Sequence, residues 1–270
     1  MSDGTVLAYL YDRSFEGFLT SVFEAYARRQ NPDIITVEEN LQVCFGQQVE
    51  RIATDAEKAQ RVVRGITEKI GSPAYQTIWT AFLSGEPDKE TRLYHYIRTG
   101  LQIGRRIYNS LARDEVLRVN TLYDQVTREA HKYKGFVRFS RLDNDVFYGK
   151  INPKSCVVPL LMPHFADRLN IQPFLLYDAV HHIAGVYDLK QWYLAETDWL
   201  ELPELSADEI EYRRLWKQFY ESLTIRERYN PKVRRSFMPK RYWPDMTEMN
   251  FVETPAAKRW DKADGLRGLQ

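Results

Sequence analysis

Gly135-Phe-Val-Arg-Phe-Ser-Arg-Leu-Asp-Asn-Asp-Val-Phe-Tyr-Gly-Lys-Ile151 is the stretch that decides the fold. Its first seven residues are rich in aromatic and β-branched side chains, Asp143-Asn144-Asp145 is a turn, and Val146 to Ile151 returns as a second strand, which together predict a hairpin. Beyond it, Pro159 to Leu169 reads as a short helix with Pro163 in its first turn. Phe174-Leu-Leu-Tyr-Asp178 and Ile183-Ala-Gly-Val-Tyr-Asp188, joined by a polar turn through His181, form a second hairpin. The segment from His131 to Asp188 is therefore a ββαββ unit. A sheet this small is not stable in water unless something covers it.

The cover is sought in the flanking helices. Val6 to Tyr11 reads as a strand ending at Asp12, and Phe15 to Arg29 as a helix that Asn31-Pro32-Asp33 stops. Extended pieces at Leu41 to Phe45 and Val49 to Ile52 lead into Thr54-Asp-Ala-Glu57, read as a capping box for the next helix. Ser72-Pro73 opens another helix, with a polar cap and a first-turn proline. A longer one runs from Lys89 to Leu111, where Gly100 and Gly104 leave room for close packing. After Asp114, the stripe Val116, Val119, Tyr123, Val126 and Ala130 delivers the chain to His131.

On the far side, Glu196 to Glu211 is acidic and Ser206-Ala-Asp-Glu209 is a second capping box. It opens a helix whose Tyr212, Leu215, Trp216, Phe219 and Leu223 read as a core-facing stripe. The expected fold is α+β: a small antiparallel or mixed sheet built from the two hairpins plus the N-terminal strand, covered by the helices of residues 55–130. One compact unit is expected over 1–252. Residues 1–130 are mainly helical, 131–192 hold the ββαββ part, and 193–252 form a C-terminal helix and basic wrap. A mobile tail follows from 253 to 270.

Composition narrows the function classes. The 270 residues are 44% hydrophobic and 13% aromatic, enough for a proper core. Lys and Arg number 38 against 37 Asp and Glu, so a net charge of +1 provides no general attraction to nucleic acid or membrane. Any charged partner must meet a local patch. Cys44 and Cys156 lie too far apart in sequence to suggest a disulfide framework or a cysteine-rich metal site, and this usage points to the cytoplasm. No apolar run approaches a membrane span, and the N-terminus shows no signal-peptide pattern. A Walker A loop, a dinucleotide fingerprint, a nucleophile elbow and a zincin helix are all missing, so neither a cofactor nor a metal is expected.

One local patch stands out. Between Thr224 and Trp243, Arg226, Arg228, Lys232, Arg234, Arg235, Lys240 and Arg241 are interleaved with Tyr229, Phe237, Tyr242 and Trp243, and only Glu227 opposes them. Guanidinium forks match phosphate oxygens and aromatic rings stack on unpaired bases, which is the combination that single-strand binders use. A second reading has the aromatics anchoring a C-terminal wrap while the arginines pair with the acidic run after Glu196.

For catalysis, the candidates are Asp12, Asp178, His131 and His164. Tyr-Asp recurs at the ends of three strands, so its carboxylates could gather at one sheet edge as general base or metal ligands, though turn and cap chemistry is the simpler account of aspartate there. His131 and His164, with Arg138 and Arg168, could line a phosphate pocket or be partly buried structural histidines. His181-His182 reads as a surface turn.

Tyr9-Leu-Tyr-Asp-Arg-Ser-Phe-Glu-Gly-Phe-Leu19, His131-Lys-Tyr-Lys-Gly-Phe-Val-Arg-Phe139, His164-Phe-Ala-Asp-Arg-Leu169 and Asn230-Pro231 with Met238-Pro-Lys-Arg-Tyr-Trp243 together resemble a bacterial family described as probable DNA metabolism proteins. The resemblance runs to about Phe251. It implies a DNA context: members are encoded beside a radical-SAM protein of DNA modification or repair, and the same domain occurs fused to a uracil-DNA glycosylase domain. It transfers no catalytic residue. Where the family motif reads Tyr-Asp-Gly-Ser, this chain has Arg13 in the glycine place. The chain itself lacks the cysteine triplet of a radical-SAM cluster and shows no glycosylase motif.

The expected function is a DNA-binding accessory protein in repair or modification that partners a radical-SAM protein and is associated with uracil-DNA glycosylase. An enzyme acting on damaged DNA and a protein-interaction subunit without DNA contact are the alternatives.

Overall fold

The computed structural model describes residues 6–41, 46–197, 204–223 and 230–250. Cys44, Arg226, Arg228, Tyr229 and the expected tail from 253 to 270 lie outside the described residues. The fold is α+β, with one sheet of three strands and one of five. The chain divides into two compact units, Met1–Glu129 with Lys154–Cys156, and Ala130–Pro153 with Val157–Gln270.

In the first unit β1 (Val6–Leu10) is the middle strand of an all-parallel sheet, between β2 (Ile34–Thr36) and β3 (Gln47–Arg51). The N-terminal strand thus belongs to a sheet of its own, and does not extend the sheet of hairpins. Its composition explains why: Val-Leu-Ala-Tyr-Leu is apolar at every position, the pattern of a strand buried on both faces. The helix after it, α1 (Phe15–Ala27), is the crossover that a parallel neighbour requires. Ser14 caps α1 by accepting from Gly17 N at 2.9 Å.

Helices α2 (Ala56–Lys69), α3 (Ser72–Phe82) and α4 (Lys89–Ile103) complete the unit. Tyr9, Phe18, Ile35, Ile66, Ile78, Leu93 and Ile97 are wholly buried in its core. The cap of α2 is Asp55, which accepts from Lys58 N at 3.0 Å, and not Thr54, whose hydroxyl donates to Asp12 Oδ2 at 2.7 Å. Likewise Gly71, and not Ser72, occupies the cap position of α3. Gly100 lets α4 meet α2: a Cβ there would stand 2.5 Å from Ile70 Cδ1. Gly104 has another role, because its φ of 63° ends α4 and starts a 3-10 turn over Gly104–Asn109. The helix expected to reach Leu111 is shorter for that reason.

Helix α5 (Asp114–Phe136) is longer than expected and carries His131 and Gly135 within it. Leu122, not Tyr123, completes its buried stripe with Val116, Val119, Val126 and Ala130.

In the second unit β4 (Phe139–Arg141) and β5 (Phe147–Ile151) form the first hairpin, and β6 (Phe174–Asp178) and β7 (Ile183–Tyr187) the second. Between them α6 (Val158–Arg168) is the crossover that sets β6 parallel to β5. The ββαββ unit forms as the sequence predicts. Pro159, not Pro163, sits in the first turn of α6; Pro163 lies inside the helix. A fifth strand, β8 (Trp192–Glu196), goes beyond the expected two hairpins and pairs antiparallel with β7 at the sheet edge.

The C-terminal elements are α7 (Ala207–Ser222), α8 (Pro231–Phe237), a 3-10 turn over Lys240–Asp245, and α9 (Thr247–Asn250). The capping box expected at α7 does not form. Glu209 Oε2 accepts from Arg141 N at 3.0 Å and its Oε1 from Arg213 Nε at 2.9 Å, so it cannot reach back to Ser206. The stripe predicted to face a core is exposed instead. Tyr212, Leu215, Trp216, Phe219 and Leu223 keep between 41% and 62% of their surface. Helical spacing puts these residues on one face but does not supply a second layer to cover it. No helix among the described residues is long and apolar enough to cross a membrane.

Candidate nucleic-acid interface

In α8, Asn230 accepts from Lys232 N and Val233 N at 3.1 and 3.2 Å, and Pro231 takes the first helical position, where its missing N–H costs nothing. The turn that follows is tied to β5, since Asn152 Nδ2 donates to Asp245 Oδ2 at 2.7 Å. Burial pushes the Asp245 carboxyl above its ordinary range, against that hydrogen bond and the charge of Lys150.

These anchors fix the predicted binding residues. Lys232, Arg235, Lys240 and Arg241 are exposed, and Phe237 is 76% exposed. Arg234 is half-buried and joins three elements: its guanidinium lies 5.8 Å from the ring of Tyr220 in α7 and 5.1 Å from that of Trp243, while Nη2 donates to Met249 Sδ. Trp243 is half-buried, its indole N–H held by Met238 O at 3.0 Å, and Lys240 lies 5.9 Å from the same ring. Tyr242 has a different place. It is 1% exposed, packs on Tyr133 and Phe136 at 4.9 and 5.0 Å, and belongs to the core of its unit. Arg226, Arg228 and Tyr229 lie outside the described residues.

The cations of this segment have few carboxylate partners. Among the described residues no ion pair joins Lys232, Arg234, Arg235 or Lys240 to an acid. Two acids of α7 are used locally instead, Glu209 by Arg213 and Glu211 by Arg214. Exposed aromatics of α7, chiefly Tyr212, Trp216 and Phe219, add to the same unit. Sequence reasoning assigned them to the core. Arg138 lies 5.8 Å over the Trp216 ring, the contact that turns an aromatic face toward positive charge.

The predicted catalytic residues are divided between the two units, His131, His164 and Asp178 falling in the second. Asp12 is in the first unit, where Oδ1 accepts from Ser14 N at 3.1 Å and Oδ2 from Thr54 Oγ1. Burial opposes its charge, but the hydrogen bonds from Ser14 and Thr54 outweigh it and hold the carboxyl below its ordinary value. His131 is exposed on α5. His164 is half-buried on α6, with Nε2 buried and without a partner among the described residues; burial, then Lys134 and Arg168, lowers its pKa. Asp178 is fully buried and closes the turn after β6, accepting from Val180 N and His181 N at 2.9 and 3.1 Å and pairing with His181 Nδ1 at 2.7 Å. No hydrogen bond links any two of the four. Arg138, considered for a phosphate pocket, is committed to Glu248. Among the described residues no group of three or more His, Cys, Asp or Glu side chains is placed to hold a metal.

A family model described as a domain of unknown function, DUF4130, matches residues 87–248, more than half of the chain. No curated protein matches.

Proposed function

Because the chain belongs to the DUF4130 family, whose description assigns no activity, we propose from its geometry that it is a DNA-binding accessory protein of a repair or modification system. Single-stranded DNA would lie on the second unit, across α7, α8 and the turn over Lys240–Asp245. The carrying observation is that Lys232, Arg235 and Lys240, which form no ion pair among the described residues, stand at the surface of the unit that also exposes Tyr212, Trp216, Phe219 and Phe237. Cations on phosphates supply affinity, and rings stack on bases whatever their sequence.

The cellular setting rests on the resemblance of the sequence motifs. It makes a radical-SAM protein the partner that supplies chemistry and uracil-DNA glycosylase an associate. The test is fluorescence anisotropy of labelled single- and double-stranded DNA with the full chain at several salt concentrations. Tighter binding to single strands that weakens steeply with salt is the expected result, and no binding at low salt overturns the proposal.

A protein-docking role is the second reading. It is favoured by Leu215 and Leu223 on α7 and by Trp192, Tyr193 and Leu194 on the edge strand β8, all exposed. Binding to the radical-SAM partner with no affinity for DNA would select it.

A further inference from the structure

The chain treats the two edges of the five-stranded sheet differently. At one edge β4 is three residues long, and the segment before α7 runs along it. Leu142 bridges Leu205 there, Asp143 N donates to Glu204 O at 3.0 Å, and Ser206 N donates to Arg141 O at 3.0 Å. That edge is closed. At the other, no described residue pairs with the outer side of β8. Proteins blunt an open edge with a proline, a lysine or a bulge, and Trp192-Tyr-Leu-Ala-Glu196 has none of these.

The hydrogen bonds to β7 show which backbone groups of β8 face outward. Asp188 N donates to Gln191 O at 3.3 Å and Thr197 N donates to His182 O at 2.8 Å, so Gln191 and Thr197 turn their backbone groups inward. Antiparallel ladders alternate, which gives Tyr193 and Ala195 the same inward direction. Trp192, Leu194 and Glu196 therefore aim their N–H and C=O groups away from the sheet. The strand is exposed along its whole length, and Trp192, Tyr193 and Leu194 keep 38%, 47% and 42% of their surface. Trp192 and Leu194 stand opposite Tyr187 and Gly185, on the face where α6 packs, and Tyr193 is on the other face.

We propose that β8 is the contact between two copies of this chain, joined edge to edge in antiparallel register about a two-fold axis at Tyr193. A two-fold contact brings one patch against itself, and this strand is complementary to itself in that register. Tyr193 meets the partner's Tyr193 as a non-hydrogen-bonded pair, with Cα atoms about 4.5 Å apart and both rings on one face. On the opposite face Trp192 packs on the partner's Leu194, and Leu194 on the partner's Trp192. These same positions exchange backbone hydrogen bonds in both directions. Lys190, in the turn between β7 and β8, reaches the partner's Glu196, and the reciprocal pair forms at the other end. Both side chains are exposed, and neither is in an ion pair among the described residues.

Neighbouring registers lack this match. Sliding the partner two residues one way sets Trp192 against the partner's Glu196, and two residues the other way sets Glu196 against the partner's Asp188. Charge and side-chain type thus select the register centred on Tyr193. The two five-stranded sheets then become one continuous sheet. Self-pairing is independent of DNA binding, since it uses β8 and leaves α7 and α8 free.

Sedimentation equilibrium of the full chain reads the contact. The weight-average mass should rise from that of one chain toward that of two between about 1 and 100 µM, because a single strand pair is smaller than a standard interface. Leu194→Pro removes an outward N–H without taking a bond from β7, and Tyr193→Lys sets two ammonium groups against each other on the axis. Each should hold the chain at the monomer mass with its circular dichroism spectrum kept. Lys190→Glu alone and Glu196→Lys alone should each weaken association about ten-fold, through two like-charged pairs. Mixing these two variants should restore it, because both crossed pairs are then opposite in charge. A chain that stays monomeric at every concentration overturns the proposal and leaves the edge to a different protein, as in the docking reading. A dimer that none of these variants weakens also overturns it, since the contact then lies elsewhere.

Discussion

Arg138 and Glu248, 110 positions apart, meet through two hydrogen bonds, Nη2 to Oε1 at 2.6 Å and Nε to Oε2 at 3.1 Å. The Trp216 indole donates to the same carboxylate at 3.2 Å, so a side chain only 2% exposed is served by three donors. Burial works against the charge on Glu248, and these hydrogen bonds outweigh it to hold the pKa below its ordinary value. Removing the cation alone strands a buried charge, so Arg138→Ala should cost about 3 kcal/mol in urea unfolding. Replacing both partners with apolar residues should recover most of that loss.

The same pair sets a pH dependence. A depressed carboxyl pKa contributes stability that is complete above the unfolded value, about 4.3, and is lost as pH falls through the lower folded one. In Arg138→Ala the carboxyl has lost its cation and protonation relieves it. The stability gap between wild type and variant should therefore narrow as pH falls into the acid range. A gap that stays constant from neutral to acid pH would contradict this account of Glu248.

Arg13 has a φ of 70°, left-handed backbone that a side chain disfavours. Its surface pair with Glu39 leaves the two side chains 69% and 67% exposed and contributes little. Arg13→Gly should therefore raise stability by about 0.5–1 kcal/mol, the relief of strain less the extra freedom glycine adds to the unfolded chain. A lower urea midpoint would mean that the turn depends on the arginine side chain.

At the proposed interface, charge reversal is best placed at Lys232 and Arg235, since Arg234 also packs on Tyr220 and Trp243. Lys232→Glu with Arg235→Glu should weaken single-strand binding and lower the salt slope by about 1 for each phosphate that is no longer neutralised. Phe237→Ala, at a ring 76% exposed, should leave stability unchanged and cost about 1–3 kcal/mol of affinity if a base stacks there. Unchanged binding in both variants would move the interface elsewhere.

The sequence made local structure legible and left long-range pairing hidden. Both hairpins could be read because the turn at Asp143-Asn144-Asp145 and the strand composition around it are short-range signals. That β1 builds a second sheet could not, because it depends on pairing Ala8 with Ile34 and Val49, contacts that no local pattern encodes. The α7 stripe shows the same limit: periodicity located Trp216 and Phe219 on one face but carried no information about a covering layer. Glu90 reads as a solvated charge in a first helical turn, yet it is buried and accepts a hydrogen bond from Tyr11, 79 positions away, a contact that no local pattern encodes.

Gly185 on β7 tests how closely α6 must approach the sheet. A Cβ there would stand 2.3 Å from Met162 Sδ, 2.8 Å from Met162 Cγ and 2.9 Å from Val158 Cγ1. Met162 is fully buried, so it cannot swing into solvent, although its thioether can re-pack more readily than a branched side chain. Gly185→Ala should cost about 1–3 kcal/mol through overpacking. Met162→Ala alone should cost about 2–5 kcal/mol, because it opens a cavity at the same spot. Each change relieves the other, the new methyl entering the space that the missing side chain leaves. The double variant should therefore be more stable than the sum of the two losses predicts, by at least about 0.5 kcal/mol of coupling. Additive losses in urea unfolding would mean that α6 moves away from β7 instead of holding its place.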